Sequence, residues 1–109
     1  MADEDTSVTG AKEPPPPGTQ TLARGLDILQ AVRMGATDLR AVCSDTGVGR
    51  STAHRLLQLL VQRGYLRSSH GAEYGLGPAL IELGFQALYQ SPVPAMARPI
   101  LEHLMEKYA

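Results

Sequence analysis

The sequence is poor in cysteine and in aromatic residues, and it has no long apolar run. It holds one Cys, one Phe and no Trp in 109 residues. A single Cys excludes an intramolecular disulfide framework and a cysteine-rich zinc site. No apolar run reaches the roughly 18 residues that a membrane-spanning helix needs. The acidic start, residues 1–5, lacks the apolar core of a secretory signal. We therefore expect a cytoplasmic chain without membrane contact, long enough for one domain and a tail.

Residues 1–18 have little to bury. Their four carboxylates face one Lys, and the stretch ends in four prolines followed by Gly18. Such a segment buries too little apolar surface to offset its ordering entropy. The composition predicts a disordered, acidic, proline-rich tail. A ligand for a proline-recognition domain is the functional alternative.

The charge reverses between Arg40 and Arg67, where five Arg residues face only Asp45. The guanidinium group is planar and can form two parallel hydrogen bonds, which suits phosphates and base edges. Five solvated surface charges would give the same composition. The arrangement of these residues on the fold therefore has to decide whether they bind nucleic acid.

Apolar periodicity predicts two helices in the first half of the chain. Four residues at helical spacing indicate a first helix over about 21–34: Leu22, Leu26, Leu29 and Val32. Asp38 can cap a short second helix, and Gly47 supplies the left-handed stop. The inner face of that helix would hold Leu39, Val42 and Cys43.

A third helix is expected over about 50–63, and Gly64 ends it. Its apolar stripe comprises Ala53, Leu56, Leu57 and Leu60. At 100° per residue, the opposite face is polar and basic, and it comprises Ser51, His54, Arg55, Gln58 and Gln62. This helix therefore has one face for a core and one for a polar partner.

The second half of the chain predicts a hairpin and two more helices. Residues 65–67 and 73–76 resemble strands, and the polar stretch 68–72 between them indicates a turn. Pro78 can start a fourth helix over about 78–89. After a proline-containing break at 91–94, a fifth apolar helix follows, with Met96, Ile100, Leu101, Leu104 and Met105. The expected fold is mainly α with a small β-hairpin, a winged helix-turn-helix followed by linker helices.

A short helix, a tight turn containing Gly, and a helix with a polar outer face form a helix-turn-helix pattern. The hairpin directly after the second of these helices makes it a winged version. The major groove of DNA admits one α-helix, and the first turns of that helix meet base edges. The pattern leaves one alternative open, a small helical bundle whose polar face contacts only solvent.

Several motifs together carry a family resemblance. They are TLARGLDIL at 21–29, TGVGRSTAHRLL at 46–57, GYL at 64–66, YGLGP at 74–78 and RPILEHL at 98–104. In this combination the chain resembles the N-terminal part of IclR-type transcriptional regulators over about residues 19–108. Three positions depart from the family pattern. Gly49 stands where Pro is frequent, Thr37 where an apolar residue is usual, and Gly75 where a basic residue is common.

The resemblance implies a dimeric bacterial regulator that binds a pseudo-palindromic operator in double-stranded DNA. Residues 19–90 would be the DNA-binding domain, and 91–109 a linker helix. In that family an effector-binding domain follows, so we expect this chain to be a fragment without it. Any small-molecule effector would act through that domain. A higher homo-oligomer, and a winged helix that binds protein instead of DNA, remain the alternatives.

The expected DNA contacts lie on the third helix, on the hairpin and on the first helix. They are Arg24, Arg50, Ser51, Thr52, His54, Arg55, Gln58, Arg67, Ser68 and His70. Arg55 is the leading candidate, and an ion pair with Asp27 or Asp45 is its structural alternative. Ser51 and Thr52 could instead cap the helix.

No pattern in the sequence indicates catalysis, a metal or a cofactor. His103 and Glu106 have helical ligand spacing, but two ligands are too few for a metal site. Ser51 and His54 lack an orienting acid and an oxyanion site. Cys43 lies on an apolar stripe, as a small core residue does. We therefore expect neither an enzyme nor a cofactor-binding protein.

Overall fold

The computed structural model describes residues 13–70, 73–92, 95 and 97–108. In chain order the elements are α1 (Gln20–Arg33), α2 (Leu39–Thr46), α3 (Arg50–Gln62), β1 (Leu66–Ser69), β2 (Glu73–Leu76), α4 (Pro78–Gln90) and α5 (Arg98–Tyr108). This order confirms the predicted fold class, mainly helical with one small antiparallel hairpin. Residues 1–12 of the predicted tail and Met96 of the predicted fifth helix lie outside the described residues.

Helix α1 buries only the second half of its predicted apolar stripe, where Val32 is buried and Leu29 packs against the core. Ile28, Ala31 and Val32 enter the core, whereas Leu22 is 66% exposed and Leu26 is 53% exposed. The apolar periodicity correctly predicts the helix and two of its four core-facing residues, Leu29 and Val32, but not the exposure of Leu22 and Leu26. The first two leucines lie beyond the reach of the core, because α2 and α3 pack against the second half of α1.

The turn between α2 and α3 is held by local hydrogen bonds. The Asp38 carboxylate accepts from the Ala41 amide at 2.8 Å, which confirms the predicted cap. The Thr46 hydroxyl donates to the Val42 carbonyl at 2.7 Å and accepts from the Val48 amide at 3.2 Å. Gly47 ends α2 at φ +75°, a left-handed conformation that a side chain disfavours. These contacts fix where α3 begins.

The core is formed where α1, α2, α3 and β1 meet. Val42 from α2, Ala53 and Leu57 from α3, and Leu66 from β1 are all almost fully buried around Ile28 of α1. Leu39 and Cys43 are half-buried and pack against this cluster, as predicted for the inner face of α2. The core therefore holds the second and third helices of the motif in a fixed relation.

The hairpin of β1 and β2, called the wing below, is longer at its first strand than the sequence indicated. Ser68 and Ser69 belong to β1 and not to the turn, and Tyr65 precedes the strand. The register pairs Leu66 with Leu76 and Ser69 with Glu73. Ser68 pairs with Tyr74, so the ladder continues through both serines. Residues 71–72 of the predicted turn lie outside the described residues.

Two backbone hydrogen bonds fix the position of the wing, one to the loop between α1 and α2 and one that continues the strand pairing toward the ends of α3 and α4. The Tyr74 amide donates to the Thr37 carbonyl at 2.8 Å, and the Gly77 amide donates to the Tyr65 carbonyl at 2.9 Å. A Cβ atom at Gly77 would collide with the carbonyl oxygen of Gly64. The chain therefore requires Gly where β2 passes close to the end of α3. This close approach also fixes the start of α4.

Helices α4 and α5 extend from this core without a buried side chain of their own in the described residues. Pro78 is the first residue of α4, and Pro99 lies in the first turn of α5, where a missing amide proton is tolerated. The two helices touch through Tyr89, whose hydroxyl donates to the Glu102 carboxylate at 3.2 Å. None of the described helices is long and apolar enough to cross a membrane.

Candidate nucleic-acid interface

The outer face of α3 is polar, basic and open to solvent. The five side chains predicted for this face are all exposed: Ser51, His54, Arg55, Gln58 and Gln62. Opposite them, Ala53 and Leu57 are completely buried. Because the buried face locks the rotation of the helix about its axis, the outer side chains have a fixed direction. The face is therefore a preformed surface.

The arginines at the start of α3 are free to bind a ligand. Arg50 and Arg55 are exposed and form no hydrogen bond or ion pair with another described residue. The structural alternative for Arg55, an ion pair with Asp27 or Asp45, is thus not formed within the described residues. An unpaired guanidinium keeps its donors for a carboxylate, a phosphate or a base edge.

The first turn of α3 also has uncapped backbone amides. Gly49 is the N-cap residue and has no side chain with which to accept a hydrogen bond from the helix. Ser51 and Thr52 form no capping hydrogen bond in the described residues, and Thr52 is half-buried. Free amides at a helix N-terminus favour anions, because the helix dipole is positive at that end.

A cleft of about 390 Å³ lies between α3 and the wing. Its lining comprises His54, Gln58, Val61, Gln62, Ser68 and Tyr74. The structure thus brings together three predicted site residues, His54 and Gln58 from α3 and Ser68 from β1. Sequence reasoning did not include Tyr74 and Gln62 among the site residues. The period-2 alternation of the wing, which puts Ser68 and its partner Tyr74 on one face, was the available signal for Tyr74.

Arg67 and His70 do not line this cleft. Arg67 alternates with Ser68 along β1, so its side chain lies on the other face of the wing, called the outer wing face below. Its Nε donates to the Leu76 carbonyl at 3.3 Å. His70 is exposed at the end of β1, with φ at +54°. His is among the residues that tolerate this left-handed conformation in a turn.

Arg24 is set apart from the other predicted site residues. It lies on α1, is half-buried and forms no hydrogen bond or ion pair with another described residue. No described element brings it into the cleft between α3 and the wing. Its assignment to the DNA interface therefore rests on the sequence resemblance alone.

A second concave surface lies between α1 and α3 and is almost entirely apolar. Leucines from both helices line it, together with Arg63 and Tyr65, and enclose about 650 Å³. Leu22 and Leu26, the exposed leucines of α1, belong to this surface. It lies on a different side of α3 from the polar face, and Arg63 is the charged residue in its lining.

The described residues contain no group of three His, Cys, Asp or Glu side chains that could hold a metal ion. Cys43 is a free thiol, half-buried against the core. The chemistry of the candidate interface is therefore that of hydrogen-bond donors and fixed positive charge on α3, next to a polar hairpin.

The comparisons with known proteins agree with this geometry. Residues 21–70 match the model of the IclR helix-turn-helix domain. This region belongs to the IclR helix-turn-helix family. The match covers α1, α2, α3 and β1, which are the elements that build the core and carry most of the predicted site residues.

Relatives of the IclR domain extend the likeness beyond the matched segment. The chain is 32% identical over 91 residues to the transcriptional repressor IclR of Escherichia coli, covering 81% of this chain and 33% of that protein. It is 36% identical over 92 residues to the transcriptional regulator BhcR of Paracoccus denitrificans, covering 82% and 33%. The chain thus spans about a third of the length of these relatives.

A solved structure shows the same arrangement. The crystal structure of an IclR family transcriptional regulator from Brucella abortus superposes with a TM-score of 0.60 and 30% sequence identity. The superposition covers 72% of this chain and 32% of that one. The winged helix-turn-helix fold of the IclR family is therefore shared by both chains.

Proposed function

We propose that this chain binds double-stranded DNA in a sequence-specific manner, as the winged helix-turn-helix part of an IclR-type transcriptional regulator. The observation that carries the proposal is the outer face of α3, which is exposed, polar and bears unpaired arginines. Two matched relatives are named as a transcriptional repressor and a transcriptional regulator, which supports the same role here.

In the proposed complex α3 lies in the major groove. Ser51, Thr52, His54, Arg55 and Gln58 meet base edges, because the first turns of a recognition helix point at the floor of the groove. Arg50 and the uncapped amides of α3 bind a phosphate. From the wing, Ser68 and His70 contact the adjacent backbone, and Arg67 does so from the outer wing face. Arg24 binds a phosphate from α1.

Affinity and sequence preference have different sources in this proposal. Phosphate contacts by arginines supply most of the affinity, which falls steeply as salt rises because counterions are released on binding. Base contacts discriminate by roughly 1–3 kcal/mol for each good bidentate pair. Arg55 is the side chain best suited to such a pair, because it forms no ion pair with a described acidic residue.

We further propose that two copies bind a pseudo-palindromic operator. The exposed apolar side chains of α4 support this, because a second copy would cover them. Two linked half-sites raise the apparent affinity through effective concentration. Any small-molecule effector would bind outside these 109 residues, in the part of the longer relatives that this chain does not span.

Selection of bound duplexes from a random DNA pool at about 150 mM salt, a physiological ionic strength, tests the proposal. Enrichment of an inverted repeat is the expected result, and its spacing gives the geometry of the dimer. A single enriched half-site would retain DNA recognition and remove dimerisation by this chain alone. No enrichment, together with a salt-insensitive complex with a protein, would favour a protein-interaction module instead.

Arg55→Ala tests the recognition helix directly. We expect the affinity for the selected duplex to fall about tenfold or more, the loss of one bidentate contact. Arg33→Ala is the matched control, because Arg33 is an exposed arginine at the end of α1, hydrogen-bonded to Gln30. An unchanged binding curve for Arg55→Ala, with the fold intact, would refute the role assigned to Arg55.

A further inference from the structure

The outer wing face carries an arginine that lies over a glycine. Arg67 on β1 and Gly75 on β2 are direct cross-strand partners. A Cβ atom built at Gly75 would lie 3.3 Å from both Nε and Nη2 of Arg67 and 3.4 Å from Cζ. The guanidinium group thus lies so close to Gly75 that a side chain there would make a tight contact with it.

The same geometry holds the Arg67 side chain along the wing. Its Nε donates to the Leu76 carbonyl at 3.3 Å, next to the glycine over which the group lies. Among the described residues, only this one N–H of the fork has an acceptor, so four of the five donors of the guanidinium group remain available. Glu73 is the acidic residue on the same face, and Arg67 forms no ion pair with it. The positive charge therefore lies along the outer wing face and has no acidic partner among the described residues.

We propose that Gly75 is a positioning residue, whose missing side chain lets the Arg67 guanidinium group lie flat on the outer wing face as a preformed phosphate contact. This rests on the proposed DNA-binding function. A long side chain held in one place loses less conformational freedom on binding than a free one. A Cβ atom at position 75 requires the group to move by a few tenths of an ångström, and a longer side chain requires a larger shift that reduces that advantage.

The contact at Gly75 is also easy to disturb without damage to the fold. The atoms near the missing Cβ belong to the end of a flexible side chain, not to the backbone. Gly75→Ala therefore moves Arg67 and leaves the ladder intact, and Ala has the higher preference of the two for a strand. The stability of the variant should equal or exceed that of the parent chain.

The first test uses the free protein and does not depend on DNA. The Arg67 Nε–H signal in a nuclear magnetic resonance spectrum is assigned by its loss in Arg67→Ala. In Gly75→Ala we expect this signal to shift and to exchange with solvent several-fold faster. Gly25→Ala is the control, since a Cβ at Gly25 meets nothing within 4 Å. An unchanged Arg67 signal in Gly75→Ala would overturn the positioning role, whether or not the protein binds DNA.

The second test is a double-mutant cycle on the selected duplex, with Gly75→Ala, Arg67→Ala and both together. We expect Gly75→Ala to weaken binding about threefold, and Arg67→Ala by up to about tenfold, as for one phosphate contact. In the Arg67→Ala background, Gly75→Ala should have no further effect. An equal loss in both backgrounds would mean that position 75 acts independently of Arg67, and no loss in either would remove its role. A parent chain that binds no duplex contradicts the DNA-binding function instead.

Discussion

The two halves of this chain differ in how far their apolar side chains are buried. The region from α1 to β2 contains every buried apolar side chain of the described core, from Ile28 to Leu66. Helix α4 is rich in apolar residues and contains one charged residue, Glu82, yet none of its side chains is buried. The first region therefore folds around its own core. The second leaves the apolar side chains of α4 exposed, as the first leaves Leu22 and Leu26 of α1 exposed.

The same contrast separates stability from association. Truncating a buried leucine leaves a cavity and lowers the free energy of unfolding. Truncating an exposed leucine changes this free energy little. The exposed apolar residues of α4 and α5 are Ile81, Leu83, Leu88, Tyr89 and Ile100. Substitutions in the first region should therefore change the free energy of unfolding. Substitutions in α4 should change the assembly.

A matched pair of leucine truncations gives the largest expected difference. Leu57 is 0% exposed in the core and Leu83 is 52% exposed on α4. We expect Leu57→Ala to lower the free energy of unfolding by about 2–5 kcal/mol. Leu83→Ala should change it by no more than about 0.5 kcal/mol. Urea unfolding of both variants at low protein concentration measures the difference.

Equal destabilisation by the two truncations would break the comparison, because it would mean that α4 belongs to the same cooperative core. Repeating the urea unfolding at high protein concentration then tests whether a second copy covers α4. If a second copy covers the face of α4 that carries Ile81 and Leu88, Ile81→Ala becomes more destabilising as the concentration rises, since association stabilises the bound state. Leu83→Ala should not, because Leu83 lies about 160° away around the helix axis.

A charge on the apolar face of α4 should break the proposed assembly. Ile81 is 43% exposed and Leu88 41% exposed, and their spacing of seven residues puts them on one helical face. We expect Ile81→Glu to lower the affinity for a two-half-site operator up to a hundredfold through lost avidity. Its affinity for a single half-site should be unchanged. Sedimentation and binding to both duplexes measure these effects.

Gln86→Glu is the control for this substitution. Gln86 is exposed on the same helix but lies about 140° away from Ile81 around the helix axis. The substitution Gln86→Glu adds the same charge to a different face of α4 and should leave association intact. Equal loss in both variants would indicate a general charge effect and would remove the Ile81 face from the interface.

The contrast also explains how much of the structure the sequence predicts. Helices α2 and α3, the Asp38 cap and the Gly47 stop were predicted because they depend on local signals, namely capping, a left-handed glycine and apolar spacing. The inner and outer faces of α3 follow from the same spacing. These are interactions within a few residues of each other along the chain.

The features that were missed depend on distant contacts. The buried face of α1 is chosen by where α2 and α3 pack, which leaves Leu22 and Leu26 exposed. The strand extends to Ser69 because β2 offers backbone partners, although serine is a common turn residue. The position of Arg67 over Gly75 depends on the cross-strand register, which cannot be read from the sequence alone. The DNA contacts of the individual residues stay predictions.

The smallest predicted effect concerns the contact between α4 and α5. Partial removal from water raises the pKa of the Tyr89 hydroxyl, and the Glu102 carboxylate raises it further through its charge and its hydrogen bond. Arg98, whose Cζ lies 5.2 Å from the Tyr89 ring centroid, opposes these effects. Because the folded pKa lies above the ordinary value of about 10, the helix pair favours the protonated hydroxyl of Tyr89. Ionisation of Tyr89 therefore weakens the contact as pH rises through the raised pKa.

Glu102→Gln should therefore bring the pKa of Tyr89 back toward its ordinary value, because it removes a negative charge next to the hydroxyl. The difference in ultraviolet absorbance between each protein and its Tyr89→Phe counterpart isolates this one titration. Glu106→Gln, one turn further along α5 at an exposed position, should leave it unchanged. Identical titrations in the two Gln variants would show that Glu102 does not raise the pKa of Tyr89. In either case the midpoint of urea unfolding should not move, since α4 and α5 lie outside the core that governs it.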